Sequence, residues 1–325
     1  MTKINRVLHT PDGFRDRVGA SMTKKLELME RLSEVFGKYG CTPIETPTVE
    51  FFDVFSSGIG TTPSSALYKF FDRDGNTLVL RPDFTPSVAR AAAMYTPEEA
   101  FPAIYSYSGS TFVNSAEYEG IYKESTQMGA ECFGDGSPEE DAKMLALTCE
   151  LLLAAGIEEF QISIGQVDYF KGLMETSPFG AEETERIRAL VSGKNTFELR
   201  DFLKMHPAGE SIETALLKLP MLFGRGGGVL EKARELAMNE RQEAAVTRLE
   251  EIRKILVDKG LESYVGFDLA LLSKYNYYTG IVFSALTYGA GEPLARGGRY
   301  DDLMGYFGKS RPAVGVGVFV DRILD

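Results

Sequence analysis

Histidine and cysteine are scarce: among 325 residues there are two His and three Cys. Cys41, Cys132 and Cys149 are scattered, odd in number and form no CxxC pair. That excludes a disulfide framework and a structural zinc, and fits a reduced, cytoplasmic chain. Two histidines cannot build a His-rich metal site. His9 lies beside Thr10-Pro11 and His206 precedes Pro207 in a polar loop, neither in a pattern that marks a catalytic base. Positive charge is short as well, with 35 Lys and Arg against 47 Asp and Glu, a net charge of −12. Neutralising phosphates needs a basic face, so wrapping nucleic acid is not what this composition suits. Long apolar runs are missing too. Residues 1–6 run into the turn Pro11-Asp12-Gly13 without the apolar centre of a signal peptide. The most apolar stretch, 145–155, contains Glu150 and falls well short of the ~20 residues of a membrane span.

What is present suits a folded, soluble protein: 44% hydrophobic and 25% charged residues, in a length that suggests two domains. Residues 22–39 carry Leu26, Met29, Leu32, Val35 and Phe36 at helical spacing and close on Gly40. Strand-like runs follow at 42–46, 77–80, 103–108 and 124–133, the second fed by a hairpin turn at Asp74-Gly75-Asn76. Ser137, Pro138 and Glu140 predict a helix opened by a capping box and closed at Gly156. Residues 160–165 alternate as a strand. From 166 to 260 helical segments dominate, at 182–191, 212–219 and 240–258. Strand texture then returns at 267–272, 277–287 and 313–319. Strands, helices and strands again predict an α+β core (1–165 and 261–325) interrupted by a helical insertion (166–260).

Several stretches carry chemistry. Gly224-Arg225-Gly226-Gly227-Gly228 precedes a helix but lacks the Lys-Ser/Thr of a phosphate loop, so it reads as a linker between helices. Leu80-Arg81-Pro82-Asp83-Phe84-Thr85-Pro86 fixes an acid and a hydroxyl between two prolines. It can present a carboxylate to an ammonium group, or simply cap the helix that follows. Gln127 and Glu131, four apart in a strand, share a face, with Gly129 leaving room between them. Tyr277-Tyr278-Thr279-Gly280 offers phenol hydroxyls. The small residues of Gly297-Gly298 and of Ala313-Val314-Gly315-Val316-Gly317 permit flat contact with a ligand or another chain.

Taken in order, these stretches resemble the catalytic domain of class II histidyl-tRNA synthetases. Residues 36–55, around Pro43-Ile44-Glu45-Thr46-Pro47, resemble the motif 1 dimerisation segment. Residues 80–85 resemble the LRPE-x-T ligand loop, with Asp83 as the acid. Residues 107–134 resemble motif 2 and the strand after it, and 277–283 and 297–322 the YYTG segment and motif 3. The resemblance implies a class II synthetase-like antiparallel sheet flanked by helices. It also implies a histidine pocket. Asp83, Thr85 and Gln127 would receive the α-ammonium, Glu131 and Tyr278 would hold the imidazole, and Tyr277 would line the site. Arg322 matches the motif 3 arginine, a possible anion contact.

Two departures shape the function it implies. Val113 stands where synthetases place the motif 2 arginine that holds the ATP α-phosphate. Ser273 stands where they place the arginine that helps activate the histidine carboxylate. Donors of this kind are each worth ~3–4 kcal/mol in the transition state, so losing both would cripple adenylate formation. The chain also ends after motif 3, with no anticodon-binding domain, and no tRNA is expected. This combination resembles the family of ATP phosphoribosyltransferase regulatory subunits. It implies a non-catalytic cytoplasmic protein that dimerises through motif 1, assembles with a short-form catalytic subunit in histidine biosynthesis and takes L-histidine as effector. No metal, cofactor or membrane is implied. The alternatives are a free-standing histidyl-tRNA synthetase-like ligase and an orphan histidine-binding module.

Overall fold

Residues 124–133 alternate between two environments, and the molecule is organised around the strand they form. The computed structural model describes residues 8–56, 62–114, 122–272 and 277–324. The first half of the chain holds α1 (Ala20–Lys38), β1 (Thr42–Pro43), β2 (Val49–Phe51), β3 (Lys69–Phe71), β4 (Thr77–Leu80), α2 (Thr85–Tyr95), β5 (Ala103–Phe112), β6 (Glu124–Phe133), α3 (Pro138–Ala154) and β7 (Phe160–Gln166). A mainly helical stretch follows: α4 (Val167–Glu175), α5 (Ala181–Ser192), α6 (Thr196–Met205), α7 (Glu210–Lys218), β8 (Phe223–Gly224), α8 (Gly228–Glu235) and α9 (Glu240–Asp258). The chain then adds β9 (Val265–Asp268), β10 (Ile281–Thr287), β11 (Ala295–Arg299), β12 (Ala313–Phe319) and α10 (Val320–Leu324).

Nine strands make one sheet in the order β1-β5-β6-β12-β11-β10-β7-β9-β8, and β2-β4-β3 form a second. The six central strands of the large sheet are antiparallel. The pairs β1–β5 and β7–β9 are parallel, so the sheet is mixed rather than antiparallel throughout. Along β6 and β12, Met128, Ala130, Cys132, Val314, Val316 and Val318 face one side. There they join α1, α3, α9 and the apolar residues of α4–α8 in one hydrophobic cluster. The helical stretch therefore shares its apolar side chains with the sheet. The other side is covered by α2 and by residues 300–304, through Phe84, Val88, Ala92, Tyr300, Leu303 and Met304.

Local signals were met with small shifts. The buried stripe of α1 is Leu28, Leu32, Val35 and Phe36, while Leu26 is exposed, because the helix turns its Leu28 edge to the sheet. Ser137 caps α3 by accepting from the Glu140 N–H at 3.3 Å. The reciprocal half of the box is replaced, since the Glu140 carboxylate pairs with Lys143 at 3.2 Å. The 42–46 run narrows to a two-residue strand, and only 281–287 of the 277–287 run is extended. Strand β3 and helices α4 and α6 were not anticipated. The glycine run at 224–228 follows β8, which pairs with β9, rather than joining two helices directly.

The chain's beginning is fastened to its end. Arg17 and Arg15 reach Oδ1 of Asp321 at 2.8 and 3.1 Å, and the Thr126 N–H donates to Oδ2 of the same carboxylate. Burial pushes that carboxyl up, but the Thr126 N–H, Lys25 and Arg17 more than offset it and hold it below its ordinary value. Among the described residues, no helix is long and apolar enough to cross a membrane.

Candidate ligand-binding site

On the face opposite the large helical cluster, β6 presents Gln127, Gly129 and Glu131. Strand β12 lies antiparallel beside it, with Gly315 opposite Glu131 and Gly317 opposite Gly129. A Cβ on Gly315 would run into the Glu131 carboxylate, and one on Gly317 into the Gln127 amide. The small-residue pattern thus serves a flat contact with the chain's own polar side chains. Gly129 does the same for the Tyr107 ring of β5, whose hydroxyl a Cβ there would meet.

Glu131 is the centre of the arrangement, at 1% exposure. Thr85, the first residue of α2, donates to Oε1 at 2.7 Å, and Tyr107 donates to the same oxygen at 3.3 Å. Tyr300 donates to Oε2. Gln127 donates its amide to the Tyr107 hydroxyl at 3.2 Å, so the two polar residues of β6 are joined through one phenol. Burial pushes the Glu131 carboxyl up to about 8, and neighbouring Asp83 adds to the rise. The donors Tyr300, Thr85 and Tyr107 pull the other way without cancelling it. Burial also drives the Tyr107, Tyr277 and Tyr300 phenols well above their ordinary range, with the nearby acids reinforcing it.

The ligand loop is set by Arg81. Buried at the end of β4, it donates to the carbonyls of Thr46 and Ser110, both at 2.8 Å, and lies 4.0 Å over the Phe84 ring. Phe84 in turn stacks on Tyr107 at 4.4 Å. Asp83 is half-buried and accepts from the Phe84 N–H at 2.7 Å. The hydroxyl of Thr85 goes to Glu131 instead of capping α2. Across the site Tyr277 stacks on Tyr278 at 4.3 Å and meets Tyr300 edge-on at 5.8 Å. Gly298 makes room for the Tyr278 ring.

The structure therefore brings Asp83, Thr85, Gln127, Glu131, Tyr277 and Tyr278 to one place. With its two acids, its phenols and an amide, that place is suited chemically to a cationic ligand with a polar ring. Arg322 engages a different region: it donates to the Pro293 carbonyl at 2.7 Å, lies 3.6 Å from Glu292 and covers the Phe319 ring at 4.1 Å. Val113 ends the β5 region, its N–H donating to the Lys123 carbonyl at 2.9 Å. Ser273 lies outside the described residues. Sequence reasoning missed Tyr107, Tyr300 and Arg81. The pair of glycines, 315 and 317, spaced by two beside a strand with polar residues at 127 and 131, signalled a close-packed polar face but not which phenols would join it. His206 packs against Phe202 at 4.4 Å, in the helical segment, and the three cysteines are buried thiols. Among the described residues no group of His, Cys, Asp and Glu could hold a metal ion.

The family model described as histidyl-tRNA synthetase matches residues 13–323. The curated ATP phosphoribosyltransferase regulatory subunit of Acetivibrio thermocellus is 39% identical over 317 residues, which is 98% of this chain and 76% of that protein. A solved structure described as an ATP phosphoribosyltransferase regulatory subunit/histidyl-tRNA synthetase from Bacillus halodurans C superposes with a TM-score of 0.91. It is 31% identical, over 98% of this chain and 82% of that one. Histidyl-tRNA synthetase from Nostoc sp. PCC 7120, at 23% identity, shares the fold with a TM-score of 0.83 over 99% of this chain and 75% of that one.

Proposed function

This chain belongs to the histidyl-tRNA synthetase family, within the group of ATP phosphoribosyltransferase regulatory subunits, and on that footing we propose that it is a non-catalytic cytoplasmic subunit that enables the short-form catalytic subunit to work and lets histidine feed back on it. The observation that carries the ligand reading is Glu131, buried among Thr85, Tyr107 and Tyr300 with Asp83 nearby. A buried carboxyl facing an imidazole can exchange a proton with it and disfavour apolar amino acids, which offer it no proton partner. Glu131 and Tyr278 take the imidazole; Asp83, Thr85 and Gln127 take the ammonium; Tyr277 walls the site.

Val113 supports a non-catalytic role. An aliphatic side chain cannot hold an ATP phosphate where synthetases use a guanidinium. Dimerisation through residues 36–55 is supported by the apolar face of the small sheet, where Val49 and Phe51 of β2 and Phe70 of β3 are exposed. A second copy covering that face would bury it symmetrically. The division into a synthetase-like core (1–165 and 261–325) and an inserted module (166–260) belongs to the same proposal.

Feedback requires histidine to bind the active and inhibited assemblies with different affinity. The test is copurification with the short-form catalytic subunit, alongside histidine-dependent ATP–pyrophosphate exchange by this chain alone. A stable complex and no exchange are expected. Exchange turnover, or no complex at micromolar concentration, contradicts the proposal.

A further inference from the structure

Two side chains of the helical stretch connect to the segments that carry the pocket's tyrosines, Lys171 directly and Arg248 through Asp141 of α3. Lys171, in α4, donates its ammonium to the backbone carbonyl of Tyr278 at 3.2 Å. Arg248, in α9, donates Nε to Oδ2 of Asp141 at 2.8 Å, while the other oxygen of that carboxylate accepts from Arg299 Nε at 2.8 Å. Asp141 is fully buried and Arg299 nearly so. Arg299 directly precedes Tyr300, the donor to Glu131.

The two pocket segments are themselves one unit. The Thr279 N–H donates to the Arg299 carbonyl at 2.9 Å, and the Asp301 N–H donates to the Thr279 hydroxyl at 2.9 Å. Asp301 also accepts from Arg299 Nη1 and from the Ala313 N–H, both at 3.0 Å. The helices that grip this unit are joined as well. Arg241 of α9 pairs with Asp168 of α4 at 2.5 Å, and Asn239 donates to the Gly172 carbonyl at 2.7 Å. One helix pair is thus linked to the pocket along two routes, directly through Lys171 and by way of Asp141 through Arg248.

We propose that Lys171 and Arg248 are positioning residues for the pocket, so that the α4–α9 pair sets its affinity and is ordered in turn when histidine binds. This rests on the histidine reading above. Lys171 fixes the backbone that aims the Tyr278 ring. Arg248 neutralises the side of Asp141 that Arg299 does not, so the carboxylate holds Arg299 in place beside Tyr300. A buried carboxylate with one partner removed is strongly penalised, and coupling between two sites is reciprocal.

The test is amide hydrogen exchange of the full chain with and without saturating histidine, with calorimetry alongside. Histidine should slow exchange in residues 167–175 and 240–250 as well as in the pocket strands. Lys171→Met and Arg248→Met should each weaken histidine binding by about fivefold or more and lose the slowing in their own helix, while Lys171→Arg should keep both at the wild-type level. Histidine bound by the wild-type chain with no change in either helix overturns the inference, and needs no variant to fold. Unchanged affinity in both variants overturns it too. If calorimetry finds no histidine binding to the wild-type chain, the pocket reading falls and the inference falls with it.

Discussion

Tyr300 donates to the Glu131 carboxylate across an intervening strand. It can do so because Gly315, which lies between them on β12, has no side chain. Once Glu131 gives its proton to a bound imidazole, the phenol's bond to it becomes charge-assisted, worth about 1.5–3 kcal/mol. Tyr300→Phe keeps the ring and removes the donor. Histidine affinity should fall about tenfold or more by calorimetry, with the melting temperature lowered by no more than about a few degrees. An unaltered affinity would mean that Glu131 does not depend on this donor.

Gly315→Ala tests the same relationship from below. The added methyl has to displace the Glu131 carboxylate or the strand, and overpacking of this kind costs about 1–3 kcal/mol. Thermal denaturation should show the loss, and histidine titration should show weakened binding. Wild-type behaviour in both would place the Glu131 side chain elsewhere.

Histidine affinity should depend on pH as a bell. Among its protein neighbours Glu131 keeps its proton up to about 8, whereas free imidazole loses its own near about 6.5. The complex needs one proton shared by the two groups. Below that window histidine arrives already charged and one proton must leave. Above it one must be taken up. Affinity should therefore peak between the two values and fall on either side. Calorimetry from pH 5.5 to pH 9 reads this directly, and a flat profile contradicts it.

The same group makes stability pH-dependent, with a sign unusual for a carboxylate. Its pKa is raised from 4.5 to about 8 on folding, so between those values the folded state binds more protons than the unfolded one. Stability from Glu131 is therefore lost as pH rises through that window and is constant above it. Glu131→Gln carries no such term. The variant should gain on the wild type from pH 5 to pH 8.5, by a few kcal/mol at about 1.4 per pKa unit. Parallel denaturation curves across that range would contradict the raised pKa.

Much of this was legible in the sequence because it is local. β6, α9 and β12 have the bounds their alternation and periodicity predict, since each is long and strongly patterned. The six residues proposed to meet the ligand lie close together in the fold. What was not legible is what depends on register. Nothing in residues 295–301 says that Tyr300 will stand diagonal to Glu131 with a glycine between. Nor does the spacing of 107 and 131 reveal that one phenol will bridge Gln127 and Glu131. Short elements were lost for a related reason: β3 and β8 are held by neighbouring strands rather than by their own pattern. Glu140 carried a capping-box signal that its side chain ignores, because Lys143 one turn on is a charged partner.

The central claim is tested most directly by assaying a short-form ATP phosphoribosyltransferase catalytic subunit alone, with this chain, and with this chain and histidine. The account predicts activation by the chain that histidine reverses, and activation that Glu131→Ala retains while histidine sensitivity falls at least about tenfold. No activation, or inhibition by histidine that Glu131→Ala leaves untouched, would contradict it.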